Sequence, residues 1–229
     1  MYPSPDNPKK LESEFYCEHY FLGRDDVCYF YLDYIPNDNY QNSFINNLKK
    51  SVEKRGTQEY SYKIWAIRKM SECLRASVEN ELFEELKGKS VIFVPVPPSK
   101  SKEDPLYDDR LVSILNNSGV CCKELIRQSK SRESCHVTGG ASRNIEEIYN
   151  NYTWNENESP DGEPEVVVVF DDVLTTGAHF KACQRMIKEH YPRATTIGVF
   201  VASRRIDDCS DDFPFLEEPE DPISNLKGL

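Results

Sequence analysis

The sequence predicts an α/β fold: a single-domain open parallel sheet flanked by helices. Three apolar runs of strand length, SVIFVPVPP at 90–98, PEVVVVF at 164–170 and TTIGVFVA at 195–202, lack the polar alternation of half-exposed strands. Such runs are typical of strands buried on both faces. Segments with helical spacing of apolar residues separate them, and strands that alternate with helices form parallel sheets.

The 229 residues suffice for one substantial core and are too few for two. We therefore predict one main domain at residues 36–206. Residues 1–35 are predicted as an N-terminal extension or hood, and residues 207–229 as a tail.

Three elements are predicted before the first apolar run. VCYFYLDYI at 27–35 is aromatic and β-prone, which indicates a strand or hairpin arm. Helical spacing predicts one helix at 43–54 and a second at 62–86. The buried face of the second helix is predicted to contain Ile64, Ile67, Leu74 and Val78.

The remaining segments connect the apolar runs. YDDRLVSILNN at 107–117 is predicted as a helix and VCCKELI at 120–126 as a strand. The polar stretch 127–144 is predicted as a long loop, and loops of this length are typically functional or mobile. HFKACQRMIKEHYP at 179–192 is predicted as a helix that Pro192 ends.

The charge distribution argues against general nucleic-acid binding. The net charge of −11 lacks the clustered Lys and Arg that phosphate backbones favour. The last 23 residues contain eight acidic residues and one basic residue, Lys227, so they contribute −7 to the net charge. An acidic end with prolines is typical of a solvated tail. The alternative for its apolar FPFL at 213–216 is docking on the body or on a protein partner.

No apolar stretch is long enough to span a membrane, and no apolar run follows the charges near the start. These observations predict a cytoplasmic protein without a membrane span, in which the eight cysteines are reduced thiols. Two groups resemble partial zinc sites, but neither has a second pair at finger spacing. We therefore interpret their members as core or loop residues: Cys17, His19, Cys28, Cys121, Cys122, Cys135 and His136.

The strongest functional pattern is VVVVFDDVLTTGAHF at 166–180. In an open parallel sheet, ligands lie beyond the carboxyl ends of the strands, where Asp171 and Asp172 emerge. The following turn brings the hydroxyl groups of Thr175 and Thr176, backbone amides and the N-terminus of a helix toward one point. Gly177 allows an anion close to the backbone. The pattern predicts a phosphate site beside two carboxylates.

Three other interpretations are weaker. A nucleotide hydrolase needs a G-x-x-x-x-G-K-[ST] loop, but Phe83 occupies the first glycine position for GKS at 88–90, and that triplet precedes a strand. A receiver-type acidic pocket leaves the Thr-Thr-Gly turn unexplained. A solvated strand end with an ordinary Ser/Thr turn requires no ligand.

VVVVFDDVLTTGAH resembles the phosphoribosyl pyrophosphate (PRPP) signature of type I phosphoribosyltransferases. The resemblance implies that Asp171 and Asp172 contact the ribose hydroxyls. It further implies a 5-phosphate loop formed by Val173, Leu174, Thr175, Thr176, Gly177, Ala178 and His179. At the last of these positions the family usually has Thr or Ser, and an imidazole is also able to donate a hydrogen bond to phosphate.

The resemblance extends to the competence protein ComF-like branch. FVPVPPSKSK at 93–102 matches a strand and basic turn that handle pyrophosphate in this branch, which implies roles for Ser99, Lys100, Ser101 and Lys102. The polar loop matches a flexible loop that ends at Arg143, and NNLKKSVEK at 46–54 resembles a Leu-Lys helix. The N-terminal four-cysteine zinc module that the branch often carries is not matched.

The resemblance implies an enzyme that binds PRPP with Mg²⁺ and transfers ribose 5-phosphate with loss of pyrophosphate. Asp171, Asp172 and Lys100 are the predicted catalytic residues, and PRPP would hold most of the Mg²⁺ coordination beside the two aspartates. Asp109 and Arg110 are predicted to face the site. Further cations for the pyrophosphate are Lys102, Arg127, Lys130, Arg132 and Arg143.

The acceptor stays open among bases, amines and nucleosides. The aromatic residues of 15–21 and 29–34 are able to stack on a base, although aromatic runs at strand spacing more often belong to a core. The alternative function is a regulatory or effector module, for instance in bacterial stress or antiphage defence, that senses PRPP or a nucleotide through a protein partner. A homo-oligomer is a further expectation.

Overall fold

The computed structural model describes residues 2–4, 8–12, 19–131 and 144–205. A five-stranded sheet has the order β1-β2-β7-β6-β3. All its neighbours run parallel except the two-residue edge strand β1, which is antiparallel to β2. The predicted α/β fold, a mostly parallel sheet flanked by helices, is confirmed.

The elements have the following bounds. The strands are β1 Lys9–Lys10, β2 Cys28–Tyr34, β3 Val91–Pro95, β4 Ile126–Gln128, β5 Tyr152–Trp154, β6 Val166–Leu174 and β7 Thr195–Arg204. The helices are α1 Ser43–Leu48, α2 Gln58–Glu79, α3 Arg110–Ser118, α4 Ile145–Asn150 and α5 Ala178–His190. Three short 3₁₀ turns lie at Val52–Lys54, Glu84–Leu86 and Glu156–Glu158.

Strand β6 forms the centre of the core. Its residues 166–170 are fully buried between β3 and β7. Helix α3 packs on β3, β6 and α2, while α5 packs on β6, β7 and α4. The continuous apolar run at 166–170 is thus explained by burial on both faces.

The predicted strand at 27–35 is β2, and it pairs in parallel with β7 inside the main sheet. The boundary that we predicted at residue 35 therefore falls directly after a core strand. The predicted helix at 43–54 is shorter than expected, because α1 ends at Leu48 and a separate 3₁₀ turn follows.

The predicted buried face of the second helix is wrong in part. Helix α2 ends at Glu79, near Glu81 with its positive φ of 52°. Ile64 is 58% exposed, whereas Lys63 is fully buried together with Leu74. The helix is rotated so that a cation, rather than Ile64, enters the interior.

The predicted strand at 120–126 is also wrong for most of its length. Cys122 forms an isolated bridge with Phe93 of β3, and Ile126 is the first residue of β4. The chain then enters β4, which pairs antiparallel with β5 in a separate two-stranded sheet. The first residues of the predicted long loop therefore form a strand, and residues 132–143 lie outside the described part of the chain.

The predictions about the tail at 207–229 and its FPFL segment concern residues outside the described ranges. Among the described helices, none combines the length and the apolar composition that crossing a lipid bilayer requires.

Candidate functional site

The two predicted carboxylates lie where β6 extends beyond its neighbour β3. Pairing with β3 stops at Phe170, and pairing with β7 continues. The side chain of Asp172 is 7% exposed, while Asp171 is half-buried. Because successive strand residues point to opposite faces, the two side chains lie on different sides of the strand.

Asp172 is held by two cations. Its Oδ2 accepts from Nε of Arg110 at 3.0 Å and from Nη2 of the same guanidinium. Nζ of Lys49, at the C-terminal end of α1, lies 3.4 Å from Oδ1. Asp172 thus joins the sheet to two helical segments.

The charges continue from Arg110 into the interior. Asp108 Oδ2 accepts from Nη1 of Arg110 at 2.8 Å and from Nζ of Lys63 at 2.6 Å. Lys63 also donates to the backbone carbonyl of Lys50 at 2.8 Å. The result is a line of side chains of alternating charge: Lys49, Asp172, Arg110, Asp108 and Lys63.

The neighbouring aspartates ionise differently. Burial opposes the charge of Asp172, but Lys49 and Arg110 hold its pKa below the usual value. Burial and then the charge of Asp172 raise the pKa of Asp171 above the usual value. Asp172 is therefore the firmly ionised member of the pair, and Asp171 is the member that resists a second negative charge.

The predicted phosphate loop follows directly. Gly177 has a φ of 86° and precedes the first residue of α5. Within the described part of the chain, the backbone N–H groups of Thr175, Thr176 and Gly177 donate to no protein atom. Unpartnered amides at a helix N-terminus favour an anion. The loop thus has the donors that a phosphate group requires.

His179, which departs from the resembled motif, is bonded within the protein. Its Nδ1 lies 2.7 Å from Oη of Tyr152 in β5. This contact ties the first turn of α5 to the small sheet formed by β4 and β5. If Nδ1 of His179 made the phosphate contact that we predicted for this residue, it would have to give up the bond to Tyr152.

The predicted pyrophosphate turn borders a cleft. Ser99 and Lys100 are half-buried, and the cleft is lined by Pro97, Lys100, Arg110 and Arg127. Nε of Arg127 is buried and makes no hydrogen bond to the described residues. Cations from three elements thus line one cleft together with Asp108 and Glu124, and Arg110 connects this cleft to Asp172.

Two residues of that turn are bonded within the protein. Lys102 Nζ lies 2.8 Å from both carboxylate oxygens of Glu124. The backbone N–H of Ser101 donates to Oγ of Ser131 at 3.0 Å, and that hydroxyl donates to Asp104 at 2.6 Å. These contacts fix the turn against the start of the predicted long loop.

Asp109 lies apart from this group. It is exposed, and its nearest cation is Arg55 at 3.8 Å. The neighbouring Asp108 takes the position beside Arg110 and also accepts from the Arg110 amide at 3.2 Å. Arg143, which we predicted to bind substrate, lies outside the described residues, as does Arg132.

Sequence reasoning missed the contacts of Lys49, Lys63 and His19, and it gave Asp108 a helix-capping role rather than a place beside Arg110. Lys49 lies inside the quoted Leu-Lys segment, which was a usable signal. Lys63 lies three and seven residues before the buried Ala66 and Met70, so helical spacing also pointed to it. Nothing in the sequence connects His19 to its partners, Thr175 and Ser203.

Mg²⁺ fits this site only together with a ligand. Among the described residues, no group of three His, Cys, Asp or Glu side chains is placed to hold a metal ion. One oxygen of Asp171 accepts from the Asp172 amide at 2.7 Å. One or two carboxylates with substrate phosphates are the coordination that Mg²⁺ commonly takes. Asp171 fits that arrangement better than Asp172, whose oxygens face Arg110 and Lys49.

Replacing Gly177 with alanine is expected to destabilise the protein more than the same change at Gly119. Both glycines have positive φ, 86° and 78°, so both variants carry a similar backbone cost of about 1–2 kcal/mol. Only at Gly177 would the new Cβ lie 2.8 Å from Cδ2 of Leu22, whereas nothing lies within 4 Å at Gly119. Urea unfolding of both variants measures the difference, and equal losses would contradict the close contact.

Comparisons with known proteins give few matches. No protein-family model matches the chain, and a search of the curated proteins finds no significant match. Among solved structures, the chain is similar to a hypoxanthine phosphoribosyltransferase from Staphylococcus aureus in two crystal forms. The tetragonal form is 12% identical with a TM-score of 0.36, over 72% of this chain and 82% of that one. The orthorhombic form is 14% identical with a TM-score of 0.32, over 72% and 75%.

Proposed function

We propose that the protein is a phosphoribosyltransferase that binds PRPP and transfers its ribose 5-phosphate to an acceptor. One observation carries the proposal: two adjacent carboxylates at the end of β6 lead directly into a loop in which three backbone amides donate to none of the described residues. PRPP carries ribose hydroxyls and a 5-phosphate on the same sugar. The hydroxyls need acceptors such as carboxylates, and the phosphate needs donors such as backbone amides. The resemblance of residues 166–179 to the PRPP signature supports the same ligand.

The reaction breaks the bond between C1 of the ribose and the pyrophosphate oxygen. Pyrophosphate leaves with the electron pair, and the acceptor forms the new bond to C1 and loses its proton. The leaving anion needs fixed positive charge. Lys100, Arg110 and Arg127 line the cleft and would supply that charge.

Binding of the ribose would redistribute the partners of Asp172. In the free protein both of its oxygens face cations. Arg110 keeps a second carboxylate partner in Asp108, so it is able to leave Asp172 without becoming an unpaired charge. Mg²⁺ bound with PRPP would neutralise phosphate charge and take Asp171 as its protein ligand.

PRPP with Mg²⁺ is expected to raise the melting temperature of the wild-type protein, because a ligand that binds only the folded state stabilises it. Differential scanning fluorimetry with millimolar PRPP measures the rise. Ribose 5-phosphate and pyrophosphate, each added alone, report the two halves of the site. No rise with any of the three would refute the proposal.

A sensor that binds PRPP without transferring it is the second candidate. The double pairing of Asp172 favours it, because a ligand that claims this carboxylate must move Arg110 and Lys49 and so alter two helices. Pyrophosphate release measured across a panel of bases, amines and nucleosides separates the two functions. Binding without release from any acceptor would support the sensor. The ComF-like assignment, a cytoplasmic location, a protein partner for the acidic tail and a homo-oligomer stay predictions.

A further inference from the structure

A short N-terminal segment crosses the outside of the predicted phosphate loop. We call residues 19–22 the strap. Nδ1 of His19 bonds the carbonyl oxygen of Thr175, and the amide of Phe21 donates to the carbonyl oxygen of Thr176 at 3.1 Å. Leu22 packs directly against Gly177. Three successive strap contacts therefore fall on three successive loop residues.

The hydrogen bonds define the state of His19. A carbonyl oxygen only accepts, so Nδ1 carries the proton that it donates to Thr175. Nε2 lies 3.0 Å from Oγ of Ser203, whose hydroxyl donates to it in the neutral ring. His19 is fully buried, and burial lowers its pKa, which keeps the ring neutral. Both ring nitrogens are thus engaged.

The strap bonds determine where the loop amides point. In a planar trans peptide, the carbonyl and the N–H point in opposite directions. Both peptide bonds here are trans. The bond from His19 to the Thr175 carbonyl therefore turns the Thr176 N–H away from the strap. The bond from Phe21 to the Thr176 carbonyl turns the Gly177 N–H in the same way. These N–H groups are two of the three that donate to no atom of the residues that the structure describes.

We propose that His19 is a positioning residue of the phosphate subsite: by fixing the Thr175 carbonyl it aims the Thr176 amide at the 5-phosphate of the ligand. This inference rests on the proposed function. It gives the N-terminal segment a role in ligand binding. That role follows from hydrogen bonds between His19 and residues more than 150 positions later in the sequence. The donor at the Nδ1 position is the required feature, rather than the imidazole itself.

Two variants of His19 separate its two hydrogen bonds. His19→Asn keeps a donor near the Nδ1 position and loses the contact with Ser203. His19→Gln keeps a polar atom near the Nε2 position and loses the donor to Thr175. We expect His19→Gln to weaken binding of ribose 5-phosphate about tenfold, in the range of one hydrogen bond to a charged group. His19→Asn is expected to stay within about threefold of the wild type.

Pyrophosphate serves as the matched probe, because it uses the cations of the cleft and not the loop. Its affinity is expected to be equal in the wild type and both variants when measured by calorimetry. A purely structural role of His19 would weaken both ligands together, and that outcome overturns the inference. Equal ribose 5-phosphate affinity in His19→Gln and the wild type also overturns it.

Spectra of the wild type keep the inference testable if His19→Gln does not fold. The ¹H–¹⁵N signals of Thr176 and Gly177 are expected to move on titration with ribose 5-phosphate. Binding without movement of these signals would overturn the inference and leave the proposed function standing. A wild-type protein that binds neither ribose 5-phosphate nor PRPP would refute the proposed function, and the inference with it.

Discussion

Replacing Asp172 with asparagine is expected to abolish the rise in melting temperature that PRPP gives the wild-type protein. Under the proposed function Asp172 would accept from ribose hydroxyls, and the amide lacks the negative charge for that role. The change also releases Arg110 and Lys49 from their shared partner. Fluorimetry with and without PRPP and Mg²⁺ measures the effect. A variant that is stabilised as much as the wild type would contradict the role of Asp172.

Asp33→Asn is the matched control. Asp33 also lies near the carboxyl end of a parallel strand and is also paired with two cations, Lys9 at 3.1 Å and Arg205 at 2.8 Å. The charge change and the loss of ion pairs are therefore similar, but Asp33 is on β2 rather than next to the phosphate loop. We expect PRPP to stabilise Asp33→Asn as it does the wild type.

The Asp172 variant also has an expected pH signature in the absence of ligand. Because the folded-state pKa of Asp172 is below its unfolded value, its ionisation stabilises the fold fully above about pH 4. That contribution is lost as the pH falls toward the folded-state pKa. The difference in unfolding free energy between the wild type and Asp172→Asn should therefore shrink in acid. A difference that grows below about pH 4 would show that Asp172 is not a stabilising anion.

The predictable parts of the fold are those whose burial is visible in the residues of one short segment. Strands β3, β6 and β7 are continuous apolar runs, because both of their faces are covered. The motif at 166–180 likewise keeps the carboxylates and the loop within a few residues of each other. The local pattern therefore located the sheet, and it placed the residues of the proposed ligand site in one continuous segment.

The parts that were not predictable depend on partners far away in the chain. Helical spacing places Lys63 on the buried face of α2, but its partners, Asp108 and the carbonyl of Lys50, lie 45 residues later and 13 residues earlier in the chain. His19 was interpreted with Cys17 and Cys28, although its partners lie 156 and 184 residues away. The segment around Cys122 shows the opposite error, in which the local pattern predicted a strand that the fold does not form. Cys122 makes a single bridge beside β3, because the chain then moves away to form the small antiparallel sheet.

Replacing Asp108 with asparagine is expected to lower the free energy of unfolding by about 3–5 kcal/mol, the usual effect of removing one member of a buried ion pair. Lys63 is fully buried, and burial lowers its pKa against the opposing attraction of Asp108. Without that carboxylate, the contacts of the ammonium among the described residues are the carbonyl of Lys50 and the ring of Tyr60, and neither carries a compensating charge. Arg110 would lose one of its two carboxylates at the same time.

The adjacent Asp109 provides the control for this experiment. Asp109→Asn removes the same charge one residue later, but its side chain is 52% exposed and faces Arg55 at 3.8 Å. Its expected effect is within about 0.5 kcal/mol. Adding Lys63→Met to Asp108→Asn removes the orphaned ammonium and is expected to restore part of the lost stability. Urea unfolding of the three variants decides the matter. If Asp108→Asn is as stable as Asp109→Asn, or if Lys63→Met lowers stability further, the buried pair does not hold α2 and α3 together in the way its geometry indicates.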